Sequence, residues 1–181
     1  MDIIIVLDKS GSMESMGPEP VQSINSFIKT QQDNKNCGKL SFYTFNDTVT
    51  KVYDNLDIMS ITPFTSYSPY GTTALYDCIS QVISEKMETE RKTNVALIIV
   101  TDGSDNSSKS CTSQHINFLL KKQETEYNWK ITYLFSNIES LQEGGKLGIG
   151  RAGMSHFDQR TPGSLNNVMN SISQQLSQFN I

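Results

Sequence analysis

Two uninterrupted aliphatic runs, Ile3 to Leu7 and Val95 to Val100, constrain this chain more than any other feature. A strand with one wet face alternates apolar and polar side chains. A run with no polar position belongs to a strand covered on both faces, and such strands occur where helices flank a mostly parallel sheet. Helical periodicity falls between the runs, as that arrangement demands. Val21, Ile24, Phe27 and Ile28 mark a first helix, with Pro18 and Pro20 at its start, where a missing donor costs little. Leu75, Ile79, Val82, Ile83 and Met87 mark a second, and Ile116, Leu119 and Leu120 a third. A shorter helix is predicted over Ile138 to Leu147. The last carries Leu165, Val168, Met169, Ile172, Leu176 and Phe179 on one stripe, behind Pro162-Gly163 and a Ser164 cap.

Leu40 to Phe45 and Thr48 to Tyr53 flank Asn46-Asp47, which predicts an antiparallel hairpin with an edge strand. Ile131 to Phe135 gives a fifth strand, and Ser155 to Phe157 a short sixth. The resulting β-α-β-β-α-β-α-β-α-β-α order means a three-layer, doubly wound α/β domain with a mostly parallel sheet. With 181 residues, no internal repeat and no linker, the expectation is one domain spanning 1–181.

Charge and composition narrow the function. Fifteen basic against 19 acidic side chains give a net charge of −4, which offers no footprint for nucleic acid or an anionic membrane surface. No apolar run approaches the ~20 residues of a spanning helix. Met1-Asp2 leads straight into the first strand, without the basic start or cleavage site of a signal peptide. Cys37, Cys78 and Cys111 are odd in number, widely spaced and free of any CxxC pair, which reads as reduced thiols. Together these point to an intracellular, cytoplasmic protein. Asn46-Asp47-Thr48 and Asn106-Ser107-Ser108 match the glycosylation sequon and are read as loops. Glu85 to Lys92 reads as a solvated helix end.

In open α/β sheets the ligand site lies beyond the carboxyl ends of the strands. The first buried strand ends in Asp8-Lys9-Ser10-Gly11-Ser12-Met13, and the second in Thr101-Asp102-Gly103-Ser104-Asp105-Asn106. Gly71-Thr72-Thr73-Ala74-Leu75-Tyr76-Asp77 opens the second helix. If the two strands are neighbours, the three loops meet at one edge and offer two carboxylates and at least three hydroxyls. Hard oxygen donors without His or Cys suit Mg²⁺ or Mn²⁺. The alternation Asp8, Ser10, Ser12 presents every second side chain inward, and Gly11 is expected to supply the sharp turn. Each piece also has a local reading: Asp8 and Asp102 as caps or turn formers, Ser10 and Ser12 as partners of loop amides, Thr73 as N-cap of the second helix.

These motifs resemble the metal-ion-dependent adhesion site of von Willebrand factor A domains, and the order of elements resembles that family over essentially the whole chain. The phrases Asp-x-Ser-Gly-Ser-Met and Gly-Thr-Thr-Ala-Leu-Tyr-Asp are most similar to its stand-alone intracellular branch. The resemblance implies a Rossmann-like sheet of order 3-2-1-4-5-6 with the ion at the top face. Carried over by position, it implies Asp8, Ser10, Ser12, Thr73 and Asp102 as ligands, with Thr72 open beside Thr73, and some ligands acting through water. It implies a Mg²⁺ or Mn²⁺ cofactor and a protein partner that supplies a Glu or Asp to the ion, hence a binding module and not an enzyme. The loops Met13 to Pro20, Ser66 to Tyr70 and Ser104 to Cys111 are expected to provide contact area. Met13, Met16, Tyr67 and Tyr70 are the candidate apolar anchors, unless the methionines pack beneath the first helix.

The competing reading is a Mg²⁺-dependent phosphohydrolase of haloacid dehalogenase type with Asp8 as nucleophile. That chemistry needs a second aspartate two residues on to protonate the leaving group, and the position is Ser10. Gly148-Ile149-Gly150-Arg151-Ala152-Gly153 is a literal GxGxxG, but it precedes the last strand instead of following the first. It is read as a loop. His115 and His156 are assigned surface or structural roles.

Overall fold

The computed structural model describes residues 1–36, 38–90 and 93–177. Six strands form one sheet of order β3-β2-β1-β4-β5-β6. They are β1 (Asp2–Asp8), β2 (Lys39–Phe45), β3 (Val49–Asp57), β4 (Val95–Val100), β5 (Lys130–Phe135) and β6 (Met154–His156). Every pair is parallel except β2 with β3, the predicted hairpin. The helices are α1 (Glu19–Asp33), α2 (Leu75–Glu90), α3 (Ser113–Tyr127), α4 (Ile138–Lys146) and α5 (Ser164–Ser177). Strand order reverses between β1 and β4, so the two aliphatic runs lie side by side, Leu7 opposite Val100.

Alternation along β1 divides the core. Ile3, Ile5 and Leu7 pack with Ile24, Phe27 and Ile28 of α1 and with Leu165, Met169 and Ile172 of α5. Ile4 and Val6 pack on the other face with Ile79, Val82 and Ile83 of α2 and Ile116 and Leu120 of α3. No position of β1 or β4 between these layers can be polar without stranding an unpaired group. Asp8 follows the even-numbered parity and Lys9 the odd, so the two leave the strand end toward opposite layers.

Several local expectations change. Ser164 does not cap α5: its Oγ accepts from the Asp158 amide, and the first-turn amide of Leu165 is taken by Glu19 Oε1 of α1 at 2.8 Å. The short last strand sits one residue earlier than its predicted Ser155 to Phe157. Lys86 within the charged stretch 85–92 is buried, its Nζ 2.5 Å from Asp54 Oδ1, so this part of α2 is not a solvated end. Residues 91 and 92 of that stretch lie outside the described residues, as do Cys37 and Phe179. Asn46, in one sequon, is fully buried. No helix is long and apolar enough to cross a membrane among the described residues.

Candidate functional site

The end of β1 is built as a turn around its own carboxylate. Asp8 is fully buried, and its Oδ1 accepts the Ser10 amide at 2.7 Å. Its Oδ2 accepts the Thr101 hydroxyl, from just beyond β4, at 2.6 Å. The chain then turns through a short 3-10 helix, Gly11–Met16, whose Met13 and Met16 are buried. The methionines thus anchor the loop from beneath and are not surface contacts. The Ser10 and Ser12 hydroxyls lie 3.2 Å apart, and Ser12 Oγ donates to Asp102 Oδ1 at 2.7 Å. The β1 and β4 loops are therefore joined through side chains of the predicted set.

The third loop is held by backbone. Gly11 N donates to Gly71 O at 3.1 Å, and Tyr70 N to Lys9 O at 2.9 Å. The left-handed turn falls at Gly71, with φ 77°, and not at Gly11, which has no positive φ. Thr73 is buried and Thr72 exposed, which separates the two threonines. Thr73 does not cap α2. The first-turn amides of that helix, on Tyr76 and Asp77, donate to Asp105 Oδ1 and Ser108 Oγ. Thr73 Oγ1 has no hydrogen-bond partner among the described residues and stands 4.0 Å from the Cβ position of Gly103. Asp105, close to the site, is occupied as a cap.

Burial dominates the electrostatics. Desolvation pushes the Asp8 carboxyl up to about 6, against the opposing hydrogen bonds from Thr101 and Ser10, and the Asp102 charge raises it further. No Lys, Arg or His side chain pairs with Asp8 or Asp102 among the described residues. Nor do three His, Cys, Asp or Glu side chains cluster there. The donor set is two carboxylates with Ser10, Ser12 and Thr73, which fits a hard divalent cation: two charges to match the ion and neutral oxygens to fill the shell.

Four amide side chains outside the predicted ligand set hold this arrangement. Asn46 Nδ2 donates to Tyr70 O, and Asn106 Oδ1 accepts the Thr73 amide. Asn137 Nδ2 donates to the Asp102 carbonyl, and Gln159 Nε2 to Asp102 Oδ2 at 2.6 Å. Asn46 and Asn106 stand in segments singled out in the sequence without a role of this kind, and Asn137 caps the helix predicted from 138, its Oδ1 accepting the Ser140 amide. The GxGxxG segment lies away from the first strand, as a loop and 3-10 turn leading into β6. His115 is on α3, and His156 is exposed on β6 with its ring against Phe135.

No family model matches the sequence, and no curated protein matches it. Solved structures do match the fold. Proximal thread matrix protein 1 of the mussel byssus superposes with a TM-score of 0.65 at 21% identity, over 97% of this chain and 45% of that one. A manganese-loaded TRAP protein of Plasmodium vivax gives 0.65 at 16% identity, over 93% and 72%. A von Willebrand factor type A protein of Catenulispora acidiphila gives 0.65 at 16% identity, over 95% and 42%. The chain thus spans less than half of the mussel and Catenulispora proteins. With its six-stranded sheet of order 3-2-1-4-5-6, one antiparallel pair and helices on both faces, the chain has the fold of von Willebrand factor A domains.

Proposed function

We propose that this chain is a protein-binding module that works through a divalent cation, Mg²⁺ or Mn²⁺, held by Asp8, Ser10, Ser12, Thr73 and Asp102. The observation that carries this reading is the pair of buried carboxylates, linked through Ser12 and Ser10, with no cationic side chain pairing with either among the described residues. Two buried like charges destabilise a fold unless something positive joins them. The manganese in the TRAP protein supports a divalent cation in this fold.

The chain's own residues set the chemistry. Asp8 and Asp102 supply the charge, while Ser10, Ser12 and Thr73 supply neutral oxygens. Thr101 and the Ser10 amide fix the rotamer of Asp8, and Gln159 and Ser12 fix that of Asp102. A hard cation held by this neutral-rich set would retain Lewis acidity, to which a Glu or Asp of a protein partner could bind. Tyr70, more than half exposed, and the segment 104–111, which follows Asp102, offer contact surface to such a partner.

The test uses Mn²⁺-loaded protein and a short peptide with a single Glu, read by water proton relaxation. A carboxylate that displaces a metal-bound water lowers the relaxivity, and the matching Gln peptide leaves it unchanged. Equal effects of the two peptides, or none, contradict the reading.

A further inference from the structure

Beside the first loop lies a cleft of about 520 Å³ between the β2–β3 hairpin and the segment 62–70. Its described lining holds six serine and threonine residues, the cation of Lys9, and no carboxylate. Lys29, Lys51, Lys86 and Lys146 each pair with an Asp or Glu. Lys9, like Lys39, Lys109, Lys121 and Lys122, has no carboxylate partner among the described residues, and it alone of these lines the cleft: its Nζ sits 3.1 Å from Thr50 Oγ1 and 5.7 Å from the centre of the Tyr70 ring, both neutral. Thr44, on the cleft wall, is 4% exposed. In a chain of net charge −4, an unneutralised lysine facing a wall of hydroxyls is a place for an oxyanion.

The cleft adjoins the candidate metal loop. Lys9 is the residue between Asp8 and Ser10, and its carbonyl accepts the Tyr70 amide at 2.9 Å. Lys9 is half-buried and Ser12 is exposed on the same loop, so one ligand segment crossing the top of β1 can reach both the candidate metal loop and the cleft. We infer that the Lys9–Thr44–Thr50 cleft binds a second side-chain oxyanion of the same partner segment, a carboxylate or phosphate a few residues from the Glu or Asp offered to the ion. This rests on the reading under Proposed function and narrows the partner to an acidic segment with at least two anionic side chains.

The probes are synthetic glycine-spaced peptides: one with a single Glu, others with a second Glu one, two or three positions away, and the same set with phosphoserine as the second anion. Binding to the full chain is followed by NMR with Mg²⁺ and with EDTA, reading Lys9, Thr44 and Tyr70 signals. Expected is about a tenfold tighter binding of at least one two-anion peptide over the single-Glu peptide, the size of one charge-assisted hydrogen bond. Lys9→Met, which keeps the stem and drops the charge, is expected to erase that gain and leave single-Glu binding unchanged. Thr44→Val is expected to reduce it without altering the melting temperature. Whether Glu or phosphoserine gives the larger gain distinguishes the two sources. A gain that survives Lys9→Met, or no movement of Lys9, Thr44 and Tyr70 signals with any two-anion peptide, overturns the inference. If single-Glu binding proves independent of Mg²⁺ while Lys9→Met still abolishes the gain, the cleft stands and the metal reading falls.

Discussion

Ser12 Oγ donates to Asp102 Oδ1 at 2.7 Å, a contact between residues ninety positions apart in the chain. It exists because β1 and β4, neighbours in the sheet, end at the same level, so the loops after them face each other. Ser12 is itself exposed, while Asp102 is almost fully buried. A surface hydroxyl thus reaches the second buried carboxylate and, through its 3.2 Å contact with Ser10, the loop that holds the first.

Stability of the metal-free protein is expected to fall as pH rises. Folding raises the Asp8 pKa from 3.8 to about 6, so the native state binds that proton more tightly than the unfolded chain. The stabilisation is complete below pH 3.8 and is lost as pH passes through about 6, amounting to roughly 3 kcal/mol in all. Urea melts in EDTA between these limits measure it. Asp8→Asn is expected to flatten the profile, whereas an unchanged slope assigns the dependence to other groups.

Asp102→Asn removes one of two like charges and keeps an oxygen to accept from Ser12. The metal-free variant is expected to be as stable as the parent or more so, with Mg²⁺ affinity reduced by more than the roughly tenfold that loss of even an outer partner of a metal ligand costs. Calorimetric titration and thermal melts on the same samples check both halves. Lost stability with unchanged affinity would make Asp102 a structural residue.

Gln159 acts through Asp102. Gln159→Leu removes the 2.6 Å donor to Asp102 Oδ2 and is expected to cost the metal-free fold about 1 kcal/mol. In a double-mutant cycle with Asp102→Asn the two effects are expected to couple by at least ~0.5 kcal/mol. Additive effects would separate Gln159 from the site.

Much of this was legible in the sequence, and the reasons are specific. Val95 to Val100 could be placed because a strand buried on both faces admits no polar residue, and the layer order follows from periodicity between such runs. Asp8, Ser10, Ser12 and Asp102 were legible because they fall in loops at strand ends. The scaffold around them was not. Gln159 meets Asp102 only because β6 places its following loop over β4, and single glutamines in loops carry no pattern. Glu19 displaced Ser164 as the cap of α5 for a similar reason: tertiary packing brought a carboxylate of α1 to the helix start. Glycine at position 11 suggested a turn that the backbone makes at Gly71 instead.

The most direct measurement is thermal unfolding with and without Mg²⁺, in the parent chain and in Asp8→Ala. A ligand that binds only the native state adds about 2.7 kcal/mol at a hundredfold excess over its Kd. For a domain of this size that is a rise in Tm of roughly 5 to 10 °C. A metal held by the β1 loop gives this rise in the parent, reversed by EDTA, and none in Asp8→Ala or Ser12→Ala. An equal rise in the Asp8 variant, or no rise in the parent with either Mg²⁺ or Mn²⁺, would contradict it.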